Sequence, residues 1–282
     1  MKRLITSILI LTACIGAMAA ADSTTVLRPV LSAWTLKAGS AHIAETYLSP
    51  LRYSGQGFGV DYERMQAMRF DPQRWVMDLR IGLDAAHTSN PVRNASMWSV
   101  SLDAGWGMMR RFRLDGGWSL YAGGTTDISF GALYNVRNGN NPVAAKASWT
   151  VGAMGAAAWN GRIGRLPVCL RYMVSMPLTG IFFSPQYGEL YYEIYLGNHS
   201  GLVRAAWPGN FFRLDNLLCA DLRFGATIVR VGYGPDIISS KASDIVTRNI
   251  RHMAVVGFTS EWLSLSTKPL HTDEAEIISA LY

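Results

Sequence analysis

Five segments of the chain alternate apolar and polar side chains with a period of two, and this pattern restricts the fold more than any other feature. They are residues 75–85, 98–108, 118–134, 149–159 and 166–178. In the first of them, Leu79 and Ile81 lie on one face, and Asp78 and Arg80 lie on the other. Successive residues of a β-strand point to opposite sides of the sheet, so each segment predicts a strand with one apolar and one polar face. The charged residues of all five segments lie on the polar face.

The spacing of two tryptophans favours a membrane barrel over a soluble β-protein. Trp149 and Trp159 share a face ten residues apart, which corresponds to about 33 Å along a strand. At a tilt of about 40° this length spans about 25 Å, the height of the apolar band between the aromatic girdles of an outer-membrane barrel. Between the two tryptophans the face carries small residues, among them Ala153 and Gly155, which suit lipid contact better than a soluble core. The predicted girdle comprises Trp75, Trp98, Trp118, Trp149 and Trp159.

The composition agrees with a barrel and argues against some other classes. Hydrophobic residues make up 49% and charged residues 16% of the chain, against about 25% charged residues in a typical soluble domain. No apolar run after the N-terminal segment reaches the length of about 18 residues that a transmembrane helix needs. The formal net charge of +6 fits contact with lipopolysaccharide phosphates, and no dense Lys/Arg stripe points to a nucleic-acid partner.

The N-terminus has the features of an export signal. Lys2 and Arg3 precede an apolar stretch and then a series of small residues. This order is typical of a secretory signal peptide, which we predict over residues 1–21 and expect to be cleaved. Lipoprotein processing is the alternative, because the sequence LTAC ends at Cys14, which would then carry the lipid. Either route takes the chain out of the cytoplasm.

The connections between the alternating segments predict the number of strands. Short connections rich in turn-forming residues occur at residues 70–74, 111–117, 160–165, 197–201 and 221–225. Longer polar connections occur at residues 87–96, 135–146, 179–188 and 235–248. Outer-membrane barrels have short periplasmic turns and longer outer loops, so the series predicts about twelve strands, with ten as the main alternative. The weak points of the pattern are residues 55–68, where the alternation breaks at Glu63 and Arg64, and the pair of short strands at residues 189–196 and 202–208.

Together these features predict an all-β protein, a closed antiparallel transmembrane β-barrel in the outer membrane. The barrel is expected over residues 22–263, after the cleaved signal peptide. Residues 264–282 contain Pro269 and an acidic stretch, and we expect them to form a periplasmic C-terminal tail with a short helix.

Three runs of the sequence carry a family resemblance. They are YLSPLRYSG at residues 47–55, YNVRNGNNP at residues 134–142 and YGELYYEIYLGN at residues 187–198. Over roughly residues 47–262, the chain resembles an uncharacterised outer-membrane β-barrel family of Bacteroides-type bacteria, known as domain of unknown function 3316. The resemblance implies an outer-membrane protein and brings no catalytic residues with it.

The polar faces of the predicted strands would meet inside the barrel and form a lumen charge network. Its expected members are Asp78, Arg80, Asp84, Asp103, Asp127, Arg171, Arg223, Arg230 and Arg251. One hypothesis is a plugged interior in which opposite charges pair, and the other is a selective channel or a site for a small anion. The mixed signs favour the plugged interior, since rings of like charge usually mark ion selectivity.

Three function classes stay open at this point. The first is a structural barrel, or one that binds or transports a small solute. The second is a lipid-modifying enzyme on the barrel wall, for which His87, with Ser89 near it in sequence, would be the residue to test, while His199 falls in a predicted periplasmic turn. The third is a surface protein whose outer loops, such as residues 138–142, contact lipopolysaccharide.

The expected partners are outer-membrane lipid, lipopolysaccharide and the barrel-assembly machinery. We predict no catalytic residue and no cofactor, and no metal site because the histidines and cysteines lack metal-ligand spacing. Cys169 and Cys219 are predicted to be small free strand residues, with a disulfide between them as the alternative.

Overall fold

The computed structural model of the protein describes residues 25–139, 141–225, 227–263 and 275–282. Its strands are β1 (Thr25–Leu27), β2 (Val30–Glu45), β3 (Ser49–Ala67), β4 (Trp75–Ser89), β5 (Ser96–Arg113), β6 (Trp118–Asn135), β7 (Val143–Ile163), β8 (Leu166–Phe183), β9 (Val203–Ala206), β10 (Phe211–Phe224), β11 (Thr227–Ala242), β12 (Ile245–Trp262) and β13 (Ala275–Ile277). A short helix, α1 (Tyr191–Tyr195), lies between β8 and β9. The predicted signal peptide, with Cys14, lies outside the described residues.

Ten of these strands form a closed antiparallel barrel. Strands β2 to β8 follow one another around the ring, and β10 then pairs with β8. The ring continues through β11 and β12, and β12 pairs with β2 to close it. Because the ring is closed, none of the ten strands is a sheet edge with a row of unpaired backbone groups. A sheet that spans a membrane has to be closed in this way, since lipid offers backbone groups no hydrogen-bond partners. The predicted all-β closed barrel is confirmed, with the ten strands of the alternative rather than about twelve.

The strands expected at residues 189–196 and 202–208 are not part of the ring, so the larger strand count is wrong. In the first segment the Glu193 carboxylate accepts a hydrogen bond from the backbone N–H of Leu190 at 3.0 Å. Such local bonds satisfy backbone groups that a strand would pair with a neighbouring strand, and here they accompany helix α1. The second segment forms β9, which pairs with the last four residues of β8 and lies outside the ring.

The barrel has a turn end and a loop end. At the turn end lie the connections β3–β4, β5–β6, β7–β8 and β10–β11, and at the loop end lies the long connection over residues 184–210 between β8 and β10. The loop predicted at residues 235–248 is instead a two-residue turn, Ser243 and Asp244, with φ of 47° and 65°. Two positive φ values are typical of a type I′ hairpin, which lets β11 and β12 stay paired up to the turn.

The alternation of the sequence separates an apolar outer face from an inner face that contains the charges. Along β12, Val256 and Phe258 point outward with 52% and 68% exposure, while Arg251 and Met253 point inward with 5% and 1%. A wall that exposes large apolar side chains and buries charged ones is the inverse of a soluble protein and matches a transmembrane barrel. Among the described residues, no helix has both the length and the apolarity needed to cross a membrane.

The five tryptophans of the predicted girdle lie on the outer face at different heights. Trp118 is paired directly with Trp159 near the turn end, and Trp75 is the first residue of β4 at the same end. Trp98 lies opposite Tyr134 near the loop end. Trp149 lies between these levels, and its indole N–H donates to the Thr126 hydroxyl at 3.0 Å.

Two further segments flank the barrel strands in sequence. Strands β1 and β13 pair in parallel as a two-stranded sheet, which belongs to a compact unit of its own. Ile278–Tyr282 belongs to the compact unit that contains the barrel. No helix occurs in residues 275–282, so the predicted short helix is wrong for the described part of the tail.

Candidate functional site: the charged barrel interior

Near the turn end, four buried charged side chains form a cluster across the whole barrel. Glu63 accepts from Arg171 at 2.6 Å and from Arg230 at 2.5 Å. Arg230 also donates to both oxygens of Asp221, at 2.7 and 2.8 Å. Glu63 lies on β3 and Arg171 on β8, which are five strands apart in the ring of ten. The Glu63–Arg171 pair therefore connects opposite walls, and we call these four residues the arginine cluster.

At mid-height, three basic side chains pair with carboxylates from several strands. Lys37 lies 2.9 Å from both Asp61 and Asp84. Arg251 lies 3.0 Å from Asp84, which links β12 to β4. The third basic residue, Arg213 on β10, binds Asp103 on β5 at 2.6 Å and Asp215 at 2.8 Å.

Arg80 and Asp78 form the remaining part of this layer on β4. The Arg80 guanidinium lies 3.2 Å from Asp78 and 3.5 Å from Asp127. Asp78 is fully buried, and in the described structure its carboxylate oxygens have no hydrogen-bond partner of good geometry. Buried polar atoms of this kind are ordinarily satisfied by water, which an interior of this polarity favours.

Two glycines make room for the carboxylates. A Cβ atom at Gly59 would collide with the carboxylate of Asp84, and one at Gly105 with the carboxylate of Asp127. Glycine within a strand often marks a position where another group approaches the backbone closely. Charged side chains therefore lie flat against the inner wall at these positions.

Close to the loop end, a second ion pair joins opposite walls. Lys146 on β7 lies 2.7 Å from the buried carboxylate of Glu45 on β2, and these strands are again five apart in the ring. Thr247 donates to the same carboxylate at 2.7 Å and lies 2.9 Å from the Lys146 ammonium. The lumen is thus bridged near both ends.

The three sequence runs that resemble the family meet above this pair. The Tyr47 hydroxyl donates to the Glu189 carbonyl at 2.6 Å and accepts from the Asn141 side chain at 2.8 Å. The Asn135 amide donates to the Tyr53 hydroxyl at 3.3 Å. We call this set of loop contacts the loop-end junction. Burial raises the pKa of the Tyr47 hydroxyl to about 12, with smaller contributions from neighbouring acidic groups, so the hydroxyl stays protonated and able to donate.

Two small cavities lie among the interior charges. One cavity of about 140 Å³ lies at mid-height among the charges, and an adjoining one of about 100 Å³ lies toward the loop end. Asp84, Asp103, Arg213 and Arg251 line both cavities. Because a water molecule occupies about 30 Å³ in the liquid, these spaces suit a few water molecules or one small polar solute.

All nine charges of the predicted lumen network make ion pairs in the structure, but they differ in depth. Arg223 is the outlier, since its side chain is 40% exposed and lies 3.7 Å from Glu261 near the turn end. The sequence reasoning missed further interior charges: Lys37, Glu45, Asp61, Glu63, Lys146, Arg213, Asp215, Asp221 and Asp236. The period-two pattern could have identified two of them, because Asp61 and Glu63 alternate with the apolar or aromatic residues Val60 and Tyr62.

The residues considered for an enzyme do not come together. His87 belongs to strand β4 rather than to a loop, and its exposed ring packs against Trp98 on the outer face with centroids 4.4 Å apart. His199 lies between α1 and β9 at the loop end, so the prediction that placed it in one of the short turns is wrong. Cys169 and Cys219 are free and buried, as predicted. Within the described ranges, no group of three or more His, Cys, Asp or Glu side chains is arranged to hold a metal ion.

Comparison with known proteins gives both structural and family matches. The chain is similar to the translocator domain of the autotransporter NalP from Neisseria meningitidis, with a TM-score of 0.37, 12% identity, and coverage of 91% of this chain and 95% of that chain. It is also similar to the outer membrane protease OmpT from Escherichia coli, with a TM-score of 0.44, 5% identity, and coverage of 87% and 99%.

A third similar structure is the beta domain of the Bordetella autotransporter BrkA, with a TM-score of 0.40, 9% identity, and coverage of 84% and 100%. The comparison with curated proteins finds no match. A family model matches residues 4–269 of the 282. Because this match spans nearly the whole chain, the protein belongs to the family described as "Protein of unknown function (DUF3316)".

Proposed function

We propose that this protein is an outer-membrane barrel with a closed interior, which acts as a structural barrel or holds a small polar solute rather than forming an open pore. The observation that carries the proposal is the pair of ion bridges between opposite walls, Glu63–Arg171 and Glu45–Lys146. An ion pair between strands five apart in the ring has to cross the lumen axis. The mid-height pairs line two small cavities in the interior.

The outer membrane as location is supported by the apolar outer wall and by the predicted export signal. Of the partners proposed from the sequence, outer-membrane lipid follows most directly from the exposed apolar residues on the outward faces of the strands. Lipopolysaccharide would meet the loop end, and the barrel-assembly machinery would insert the chain. The interior volume limits the solute, since a cavity of about 140 Å³ is smaller than ordinary ligand pockets of about 300–1,000 Å³.

Planar-bilayer recording on the purified protein tests the closed interior. Electrophoresis of unheated and heated samples first shows that the sample is a folded barrel, because the folded form migrates faster until it is boiled. We expect this folded sample to give no stepwise open-channel conductance. Regular steps from the wild-type protein would contradict the closed interior. Recovery of the protein in the soluble periplasmic fraction, with no heat-dependent shift, would contradict the membrane location.

A further inference from the structure

A short segment of the chain lies inside the turn end of the barrel. Ser279, Ala280 and Leu281 are 6%, 0% and 2% exposed, although they lie after the last barrel strand in sequence. They belong to the same compact unit as the barrel. Ile278–Tyr282 is non-helical, and the N–H groups of Leu281 and Tyr282 donate to the Ser279 hydroxyl within the segment.

The barrel supplies hydrogen-bond partners along three consecutive residues. The Arg111 guanidinium donates to the Ser279 carbonyl at 2.6 Å, and the Tyr121 hydroxyl donates to the Ala280 carbonyl at 3.0 Å. The Asn160 side-chain amide donates to the Leu281 carbonyl at 2.6 Å. Arg111 and Tyr121 are 4% and 3% exposed. Without a peptide in place these buried donors would lose acceptors, which is costly for buried polar groups.

Side-chain contacts add selectivity to this backbone recognition. Ala280 and Leu281 are members of the buried apolar cluster at the turn end, which also contains Leu31, Met65, Val76, Met109, Tyr121, Met154, Ala156, Ala158, Cys169 and Met173. Four of these residues are methionines, whose flexible side chains adapt to a bound apolar group. The Ser279 hydroxyl hydrogen-bonds the Glu261 carboxylate at 2.5 Å, and the guanidinium of Arg223 lies 4.8 Å from the Tyr282 ring centroid.

We propose that the turn end of the barrel is a binding site for a short, non-helical peptide, and that Ile278–Tyr282 occupies it and closes that mouth. The ligand class follows from the contacts, which are three donors to successive carbonyls and an apolar pocket for one aliphatic side chain. This site adjoins the arginine cluster, because Arg171 donates to the Met65 sulfur at 2.8 Å, but none of its contacts with Ile278–Tyr282 is made by the residues of the two ion bridges. An open site with intact bridges would still give a barrel without channel conductance, so the two proposals can fail independently.

Labelling of Cys169 tests the proposal, because this free thiol is 2% exposed and lies in the same apolar cluster as Leu281. The probe is a water-soluble maleimide, and labelling of Cys169 is located by peptide mapping on the fraction that migrates as a folded barrel. The variants are a deletion of residues 278–282 and the full-length Leu281→Asp. Ile277→Asp is the matched control, since Ile277 is 61% exposed.

We expect both the deletion and Leu281→Asp to raise the labelling rate of Cys169 by about tenfold or more, since each removes the burial of a leucine that holds the mouth closed. Ile277→Asp should label like the wild type. A synthetic peptide of residues 276–282, added to the deletion variant, should restore protection, and the same peptide with Leu281→Asp should not. The proposal is overturned if Leu281→Asp labels at the wild-type rate, or if the wild-type peptide gives no protection. Should the deletion variant not fold, the rate for Leu281→Asp alone decides the matter.

Discussion

Replacing Arg230 by methionine should destabilise the barrel more than any comparable change at its surface. Arg230 is 1% exposed and binds two carboxylates, Glu63 and Asp221, that are 6% and 3% exposed. The variant leaves Glu63 with Arg171, but it leaves Asp221 as a buried charge without its bidentate partner. Removing one partner of a buried ion pair costs about 3–5 kcal/mol, because the remaining charge stays out of water. We therefore expect a loss of about 3–5 kcal/mol in the free energy of unfolding.

The matched control is Arg223→Met, which removes the same side chain from a more exposed position on neighbouring β10. Its ion pair with Glu261 is 3.7 Å long and its side chain is 40% exposed, so we expect a loss of about 1 kcal/mol or less. Urea titration of the protein folded into lipid vesicles, followed by tryptophan fluorescence, measures both variants. Adding Asp221→Asn to Arg230→Met should recover part of the loss, because it removes the uncompensated charge. Equal losses for the two arginine variants would refute the arginine cluster as a source of stability.

Two further predictions concern the outer wall and the loop end. Val256→Arg, on the outward face in the middle of β12, should lower the free energy of unfolding by about 2–4 kcal/mol in the same titration. Ser260→Arg near the turn end should lower it by only about 0–1 kcal/mol, because the penalty for a charge facing lipid depends on its depth in the bilayer. Similar losses for the two variants would argue against lipid contact. Burial raises the pKa of Tyr47 from 10.0 to about 12, so the protonated form is favoured in the folded state. This stabilisation is present below pH 10 and is lost as the pH rises toward 12. The free energy of unfolding should therefore fall more steeply over that interval in the wild type than in Tyr47→Phe. Parallel curves of the free energy of unfolding against pH would contradict the dependence of the loop-end junction on the hydroxyl.

Strand identity was predictable wherever one wall of a strand is apolar and the other polar. The alternation around Leu79 and Ile81 predicted the outward face of β4, and the structure shows that orientation. The same rule failed at residues 189–196, where Glu193 bonds the backbone locally and a helix forms. It also failed at the turn of Ser243 and Asp244, because the polarity of residues 235–248 is typical of loops as well as of paired strands.

The interior site was predictable as a set of charges but not as a set of pairs. Period two places Asp103 and Arg171 inside the barrel, since an outward charge would face lipid. It does not say that Asp103 pairs with Arg213 or that Arg171 pairs with Glu63. Those partners lie 110 and 108 residues apart in the chain, and only closure of the ring brings their strands face to face.

The sequence by itself determined that this protein is a β-barrel with an apolar outside, because side-chain alternation is a local property of each strand. The tertiary structure decided the strand number, the bridged lumen and the position of Ile278–Tyr282 in the turn-end mouth. These depend on which strands become neighbours and which lie opposite, and a local pattern of period two contains no information about distances across the barrel.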